Sequence, residues 1–434
     1  MFHWEAMTND NAAPADPPAS RFSWLRQLGP GLITGAADDD PSGIATYSQA
    51  GAQFGFQMLW TVLLTFPLMA GIQIVSARIG RVSGHGLAGN IRRHYPAWLL
   101  YLVIALLLVA NTINIAADAA AMGEAARLLA GGSAKAWTLA FGIASLLLQM
   151  FIPYTRYVRV LKWLTMSLLA YAAAMLTLDI PWAQVLAATV WPQLSMKREY
   201  IVTVVAVFGT TISPYLFFWQ ASQEVEELQA SPGARPLVVA PEQARASFRR
   251  IKWDTYVGMG ISNLIAFCII LTSAVALHAH GVTDIQTSAQ AAQALRPVAG
   301  DFAFALFALG IIGTGLLAIP VLAGSAAYAM AGAFRWSKGL ELPPSRAKGF
   351  YSIIALSTLF GLGMGFLPID PIRALFWSAV INGVLAVPIM VVMMLMVGNI
   401  RVMGRFVASA RLRALGWAAT VAMAAAVAAM FATL

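Results

Sequence analysis

The chain has 434 residues, 59% of them hydrophobic and 11% charged, with a net charge of +9. Soluble domains average about 45–50% apolar and about 25% charged residues, so a water-dissolved fold is excluded and a bilayer must act as solvent. The basic residues are sparse and lie between long apolar runs, which makes them a topology signal and excludes a nucleic-acid partner.

Met1 to Ser20 is polar and rich in Ala, Pro and Asp, and lacks the basic segment and apolar core of a signal peptide. Residues 1–24 read as a disordered cytoplasmic tail. A spanning helix needs about 20 mostly apolar residues. By that criterion eleven spans follow: Leu28–Ala52, Gln57–Ala77, Ala97–Ala126, Ala136–Ile152, Leu161–Ile180, Tyr200–Ala221, Tyr256–His278, Phe302–Phe334, Phe350–Leu367, Ala374–Val397 and Leu415–Leu434. With the N-terminus in the cytoplasm, 22 of the 28 Lys and Arg fall on the cytoplasmic side, as the positive-inside rule requires. The C-terminus then lies outside, and the setting is a bacterial inner (plasma) membrane. The single cysteine, Cys268, excludes an internal disulfide and reads as a packing residue.

The first span contains Ala36-Ala37-Asp38-Asp39-Asp40-Pro41-Ser42-Gly43. Carboxylates inside a span are costly and mark function by default. Proline removes a helical donor and clashes with the preceding turn, so the segment should unwind between two half-helices. The sixth span repeats the arrangement in Gly209-Thr210-Thr211-Ile212-Ser213-Pro214-Tyr215. Breaks in the first and sixth of ten spans point to two inverted repeats of five, about residues 25–180 and 200–398, meeting near the midplane. Residues 25–398 form the core, and 399–434 supply a cytoplasmic connection and an eleventh span. The fold class is thus all-α, polytopic and LeuT-like. Simple proline kinks are the alternative for both spans.

The same residues carry a family resemblance. Leu28-Gly29-Pro30-Gly31, Asp40-Pro41-Ser42-Gly43 and Gln49-Ala50-Gly51-Ala52-Gln53-Phe54-Gly55 resemble the first span of the Nramp family of divalent-metal transporters, and Ala77 to Gly84 resembles its second-span exit. The resemblance implies a LeuT-like fold and proton-coupled metal transport. It also exposes departures. The family's Asp-Pro-Gly-Asn becomes Asp40-Pro41-Ser42-Gly43, which loses one side-chain ligand. Its Met-Pro-His-Asn becomes Ser213-Pro214-Tyr215-Leu216, and a later histidine becomes Gln220.

The metal donors expected here are Asp40, Asp39, the carbonyls near Ala37 and Thr210, the Ser213 hydroxyl and the Asn382 amide oxygen. All are oxygens, which suit Mg²⁺, Ca²⁺ or Mn²⁺ better than soft metals. The cation is cargo, and no cofactor is expected. In the third span Asn111, Asn114 and Asp118 share a face. The resemblance places an acidic residue of the proton route at Asp118. Ala121 replaces that residue's usual glutamate neighbour, and Glu124 lies one turn further on. Proton relay and interhelical hydrogen bonding both fit this face. Tyr215 and Gln220 complete the gating and proton candidates. Glu224, Glu226 and Glu227 are either a solvated run or a gate latch. Residues 221–251 read as a long mobile connection.

No phosphate-binding loop, Ser-His-Asp arrangement or zinc protease motif is present, so the chain reads as a transporter and not an enzyme. A divalent-cation transporter is the leading function. A LeuT-like carrier of a small organic solute such as an amino acid, and a sensor or leak channel, are the others. Partners are the metal ion, the bilayer and protons, and nothing in the sequence sets an oligomeric state.

Overall fold

The computed structural model describes residues 30–152, 166–367 and 370–433. The expected N-terminal tail and the start of the fifth span lie outside these residues. Among the described residues, eight helical segments are long and apolar enough to cross a membrane, and two shorter apolar helices, Met166–Met175 and Lys348–Met364, stand at the fifth and ninth expected spans.

The first span is two helices, α1 (Pro30–Asp38) and α2 (Pro41–Phe54). Proline is well suited to a first helical position because it needs no donor there. Asp40 precedes it as N-cap, and its Oδ1 accepts from the Gly43 amide at 2.7 Å. The motif therefore both ends one helix and starts the next. After a short 3₁₀ turn at Gly55–Met58 comes α3 (Leu59–Ser83), then the short α4 (Leu87–His94), α5 (Ala97–Ala130) and α6 (Ala134–Phe151). Next are α7 (Leu169–Met175) and α8 (Trp182–Val190). Helix α8 packs on α3; its short apolar segment does not meet the length criterion for a span.

The sixth span is also two helices, α9 (Arg198–Thr211) and α10 (Pro214–Ala230), and both are almost wholly buried. Then follow α11 (Ala244–Ala276), α12 (Ala303–Phe334), α13 (Lys348–Met364), α14 (Pro371–Val397) and α15 (Ala410–Ala432). The expected mobile connection is corrected. Helix α10 continues to Ala230 and α11 begins at Ala244, leaving only 231–243. That remainder is fastened to α3 by Leu237 N–H donating to Arg81 O and Val238 N–H to Val82 O, at 3.3 and 3.2 Å.

Both halves of the first broken helix lie along α11, and α9 lies along α14. Glycine makes these approaches possible. A Cβ on Gly35 would come within 2.4 Å of the Gly258 backbone, and one on Gly51 within 2.2 Å of Ile270 O. Gly209 meets α14 in the same way, 2.0 Å from Ala379 O. The end of α3 meets the start of α11 where Arg81 Nε donates to Ser247 Oγ at 3.3 Å. This side, with Arg92, Arg93, Arg335 and Lys338, is the basic face of the molecule.

Candidate functional site

The two helix breaks face each other and are joined at four levels. Thr34 Oγ1 donates to Gln220 Oε1 at 2.5 Å. The Tyr215 hydroxyl, with a single proton, lies within donating distance of both Ala37 O at 3.0 Å and Asp40 Oδ2 at 3.2 Å. Thr210 Oγ1 lies 3.3 Å from where a Cβ on Gly43 would be. Tyr47 Oη and Thr211 Oγ1 are 3.0 Å apart. Asp38, Asp39 and Asp40 are 0%, 5% and 2% exposed, so burying them demands hydrogen-bond donors or cations.

Donors are scarce. Ser262, on α11, lies 2.5 Å from Asp38 Oδ2 and 3.0 Å from Asp39 Oδ1. A hydroxyl carries one proton, so it can serve one of these carboxylates at a time. Asp38 Oδ1 has no hydrogen-bond partner. Sequence reasoning missed Ser262: an isolated serine in an apolar span carries no local signal, and its contact spans more than 220 residues.

The expected donors are brought together unevenly. Asp40, Asp39 and Ala37 line the first break. Ser213 lies at the second break, where its hydroxyl is within donating distance of Gly209 O at 2.9 Å and Thr210 O at 2.8 Å. The Thr210 carbonyl is thus within reach of a donor of its own segment. The Thr210 hydroxyl, in contrast, is buried without a partner and lies 3.3 Å from where a Cβ at position 43 would be. Ser42 donates instead to Leu375 O on α14 at 3.2 Å. The Asn382 amide oxygen accepts from Asn114 Nδ2 at 2.9 Å, which ties α14 to α5. Among the described residues, no group of three or more His, Cys, Asp or Glu is placed to hold a metal ion. A cation at the breaks would therefore need hydroxyl and carbonyl oxygens beside the carboxylates.

Asp118 is fully buried, neither of its oxygens has a hydrogen-bond partner, and it lies within electrostatic reach of Asp40. On the same face, Asn111 donates to Leu322 O and Ser325 Oγ, each at 2.7 Å, a packing role. Glu124 is not at the site: it pairs with Arg127 at 2.6 Å near the exposed end of α5.

The Glu224 run is not a solvated face. Glu224 is fully buried, and Arg250 on α11 reaches it at 2.5 Å and Glu227 at 2.8 Å. Asp254, one turn along α11, accepts from the Gly31 amide at 2.7 Å, satisfying a donor left over at the start of α1. Ser76 and Gln73 of α3 donate to Phe217 O and Leu216 O at 2.5 and 3.0 Å. Helices α1, α3, α10 and α11 are thus knitted together on the basic face. Toward the opposite face a cavity of about 360 Å³ lies among α2, α9 and α14, lined by Gln49, Gln53, Glu199, Asp284 and Arg373 among others. Gln49 is nine residues along α2 from Asp40, about 13 Å.

Two interrupted helices meeting across buried carboxylates define a broken-helix secondary transporter of the LeuT-like class. The particular lineage follows from the sequence as a whole: residues 31–433 match the Natural resistance-associated macrophage protein-like family, Nramp, and the chain belongs to it. It is 26% identical over 422 residues to the Divalent metal cation transporter MntH of Klebsiella pneumoniae, covering 95% of each. The crystal structure of the Eremococcus coleocola manganese transporter with an aromatic bis-isothiourea substituted compound superposes with a TM-score of 0.71 at 16% identity, covering 97% of this chain and 90% of that one. Mhp1, a nucleobase-cation-symport-1 family transporter in a closed conformation with bromovinylhydantoin bound, gives 0.53 at 14% identity, covering 94% and 92%.

Proposed function

We propose that this chain carries divalent metal cations across a bacterial inner membrane by alternating access, with the basic face toward the cytoplasm. The observation that carries the reading is Asp40. It is buried at the junction of two half-helices and faces a second broken helix, and its Oδ2 and the neighbouring Ala37 carbonyl are held by a single tyrosine hydroxyl. A cation arriving from the 360 Å³ cavity would displace that hydroxyl and take up Asp40, the Ala37 carbonyl and the Thr210 hydroxyl. Asp39 and retained water would complete its shell.

All these donors are hard oxygens, which favours Mn²⁺ and Mg²⁺ over thiophilic ions. Release would require the Arg250 ion pairs and the Asp254–Gly31 contact to part, freeing α1 from α10 and α11. Asp118 is a buried carboxyl within electrostatic reach of Asp40 whose two oxygens both lack hydrogen-bond partners, and it is assigned the proton. Gln220 cannot titrate and serves to bind Thr34.

The test is Mn²⁺ uptake into proteoliposomes by wild type and Asp40→Ala, with Mg²⁺ as competitor. Saturable uptake that Mg²⁺ suppresses and the substitution abolishes is expected. No uptake by folded wild type, and no competition, would overturn the metal reading and favour an organic solute.

A further inference from the structure

The basic face holds a second concavity, remote from the helix breaks. It measures about 510 Å³ and lies between α4 and the end of α12, lined by His85, Arg92, Arg93, Arg335, Trp336 and Lys338 among others. Two small residues form its floor: a Cβ on Gly332 would lie 3.2 Å from the Gly89 amide nitrogen, so the two helices meet there at backbone distance. Helix α12 ends because Arg335 takes the left-handed conformation at φ 59°, its amide returning to Ala331 O. Glycine is the ordinary residue at such a position. An arginine held there points to a use for its side chain.

Four permanent or near-permanent cations therefore surround one cavity. Among the described residues, the ion pairs involve other groups and none includes Arg92, Arg93, Arg335 or Lys338. Arg92 Nε is buried without a hydrogen-bond partner. Glu226, the nearby carboxylate, is already engaged by the Tyr328 hydroxyl at 2.5 Å and the Leu340 amide at 2.9 Å. The crowding is felt locally. Burial, with Arg92 and Arg93 adding repulsion, lowers the Lys338 pKa against the pull of Glu226. Burial likewise lowers the His85 pKa, and Arg93, Lys338 and His94 oppose its protonation further.

We propose that this pocket binds a phosphate-bearing anion, held by Arg92, Arg93, Arg335 and Lys338, and that its source is the headgroup of an anionic phospholipid. Guanidinium forks match phosphate oxygens bidentately, and basic pockets between spanning helices are suited to acidic headgroups. The surroundings favour a lipid over a soluble ion. Phe334 and Trp336 stack at 5.2 Å beside the pocket and remain 47% and 39% exposed. Such an aromatic rim belongs at a bilayer interface and can lie against acyl chains. The inference is independent of which ion is transported.

The test uses the purified full chain, delipidated and titrated with phosphatidylglycerol, cardiolipin or phosphatidylcholine, with bound lipid read by native mass spectrometry. Each Lys or Arg is worth about fivefold near an anionic surface, so the triple variant Arg92→Gln, Arg335→Gln, Lys338→Gln should bind the anionic lipids on the order of a hundredfold more weakly. A control triple at Arg401, Arg411 and Arg413, elsewhere on the basic face, should bind as wild type does. Arg335→Gly relieves the left-handed backbone while removing one cation, so it should fold at least as well and lose about fivefold. In a second arm, inorganic phosphate and pyrophosphate are titrated in neutral detergent with thermal unfolding as readout. Stabilisation there without selective lipid retention would overturn the lipid source and assign the pocket to a soluble phosphoanion. Equal lipid retention by wild type, Arg335→Gly and the triple variant, with no response to phosphate, would overturn the site altogether.

Discussion

Tyr215→Phe gives the sharpest test of how the transport site works, because it removes one oxygen and no ring. The Tyr215 side chain is 0% exposed, and its hydroxyl reaches Ala37 O at 3.0 Å and Asp40 Oδ2 at 3.2 Å. A hydrogen bond to a charged group contributes about 1.5–3 kcal/mol net. These distances sit at and beyond the long end of the O–H···O range, so about 1.5 kcal/mol is the appropriate figure. If the hydroxyl competes with the cation for those two oxygens, Phe removes the competitor, and the dissociation constant for Mn²⁺ should fall about tenfold. The same contact links α10 to the first break, so its loss should slow turnover while affinity rises. Calorimetric Mn²⁺ titration of the purified protein, paired with KM and kcat for uptake in proteoliposomes, separates the two effects. A dissociation constant that is unchanged or larger in Tyr215→Phe would refute the reasoning and make Tyr215 a ligand or a structural strut.

Thr210→Val keeps the shape and removes a buried hydroxyl that has no protein partner; Mn²⁺ binding should weaken about tenfold without loss of thermal stability, and unchanged affinity would exclude that oxygen from the site. Arg250→Met strands the fully buried Glu224 and should cost about 3–5 kcal/mol. Adding Glu224→Gln should recover most of it in denaturant unfolding, and failure of that rescue would mean the two groups are not energetically coupled. Gly209→Ala forces a Cβ to within 2.0 Å of Ala379 O, and overpacking of this kind costs about 1–3 kcal/mol or more; an unshifted melting temperature would show that α9 and α14 can separate freely.

The helix breaks were legible because proline and consecutive carboxylates cannot continue an apolar helix, whatever surrounds them. Asp40 and Pro41, and Ser213 and Pro214, end up as the cap and first residue of α2 and α10. What local chemistry does not encode is partnership. Asn382 could be picked out as a buried amide, but only the folded chain shows its oxygen facing Asn114 from 268 residues away. Glu224 reads as either a solvated charge or a latch because it sits in a run of charges, and Arg250, which makes burial tolerable, lies across a turn on another helix. The same run concealed the continuation of α10 to Ala230. Position 43 shows the opposite failure. The missing side chain was visible in the sequence, while the Thr210 hydroxyl beside its place was not.

The seam between the first broken helix and α11 constrains how such a transporter can change its preference among ions. At Gly35 and Gly51 the seam is closed at backbone distance, so no side chain can be added there without prying the helices apart. Divergence of selectivity is left to the other flank, where Ser42, Gly43, Thr210 and Ser213 stand. In a mutational scan, tolerated changes that retune ion choice should cluster on that flank, while Gly35 and Gly51 admit none.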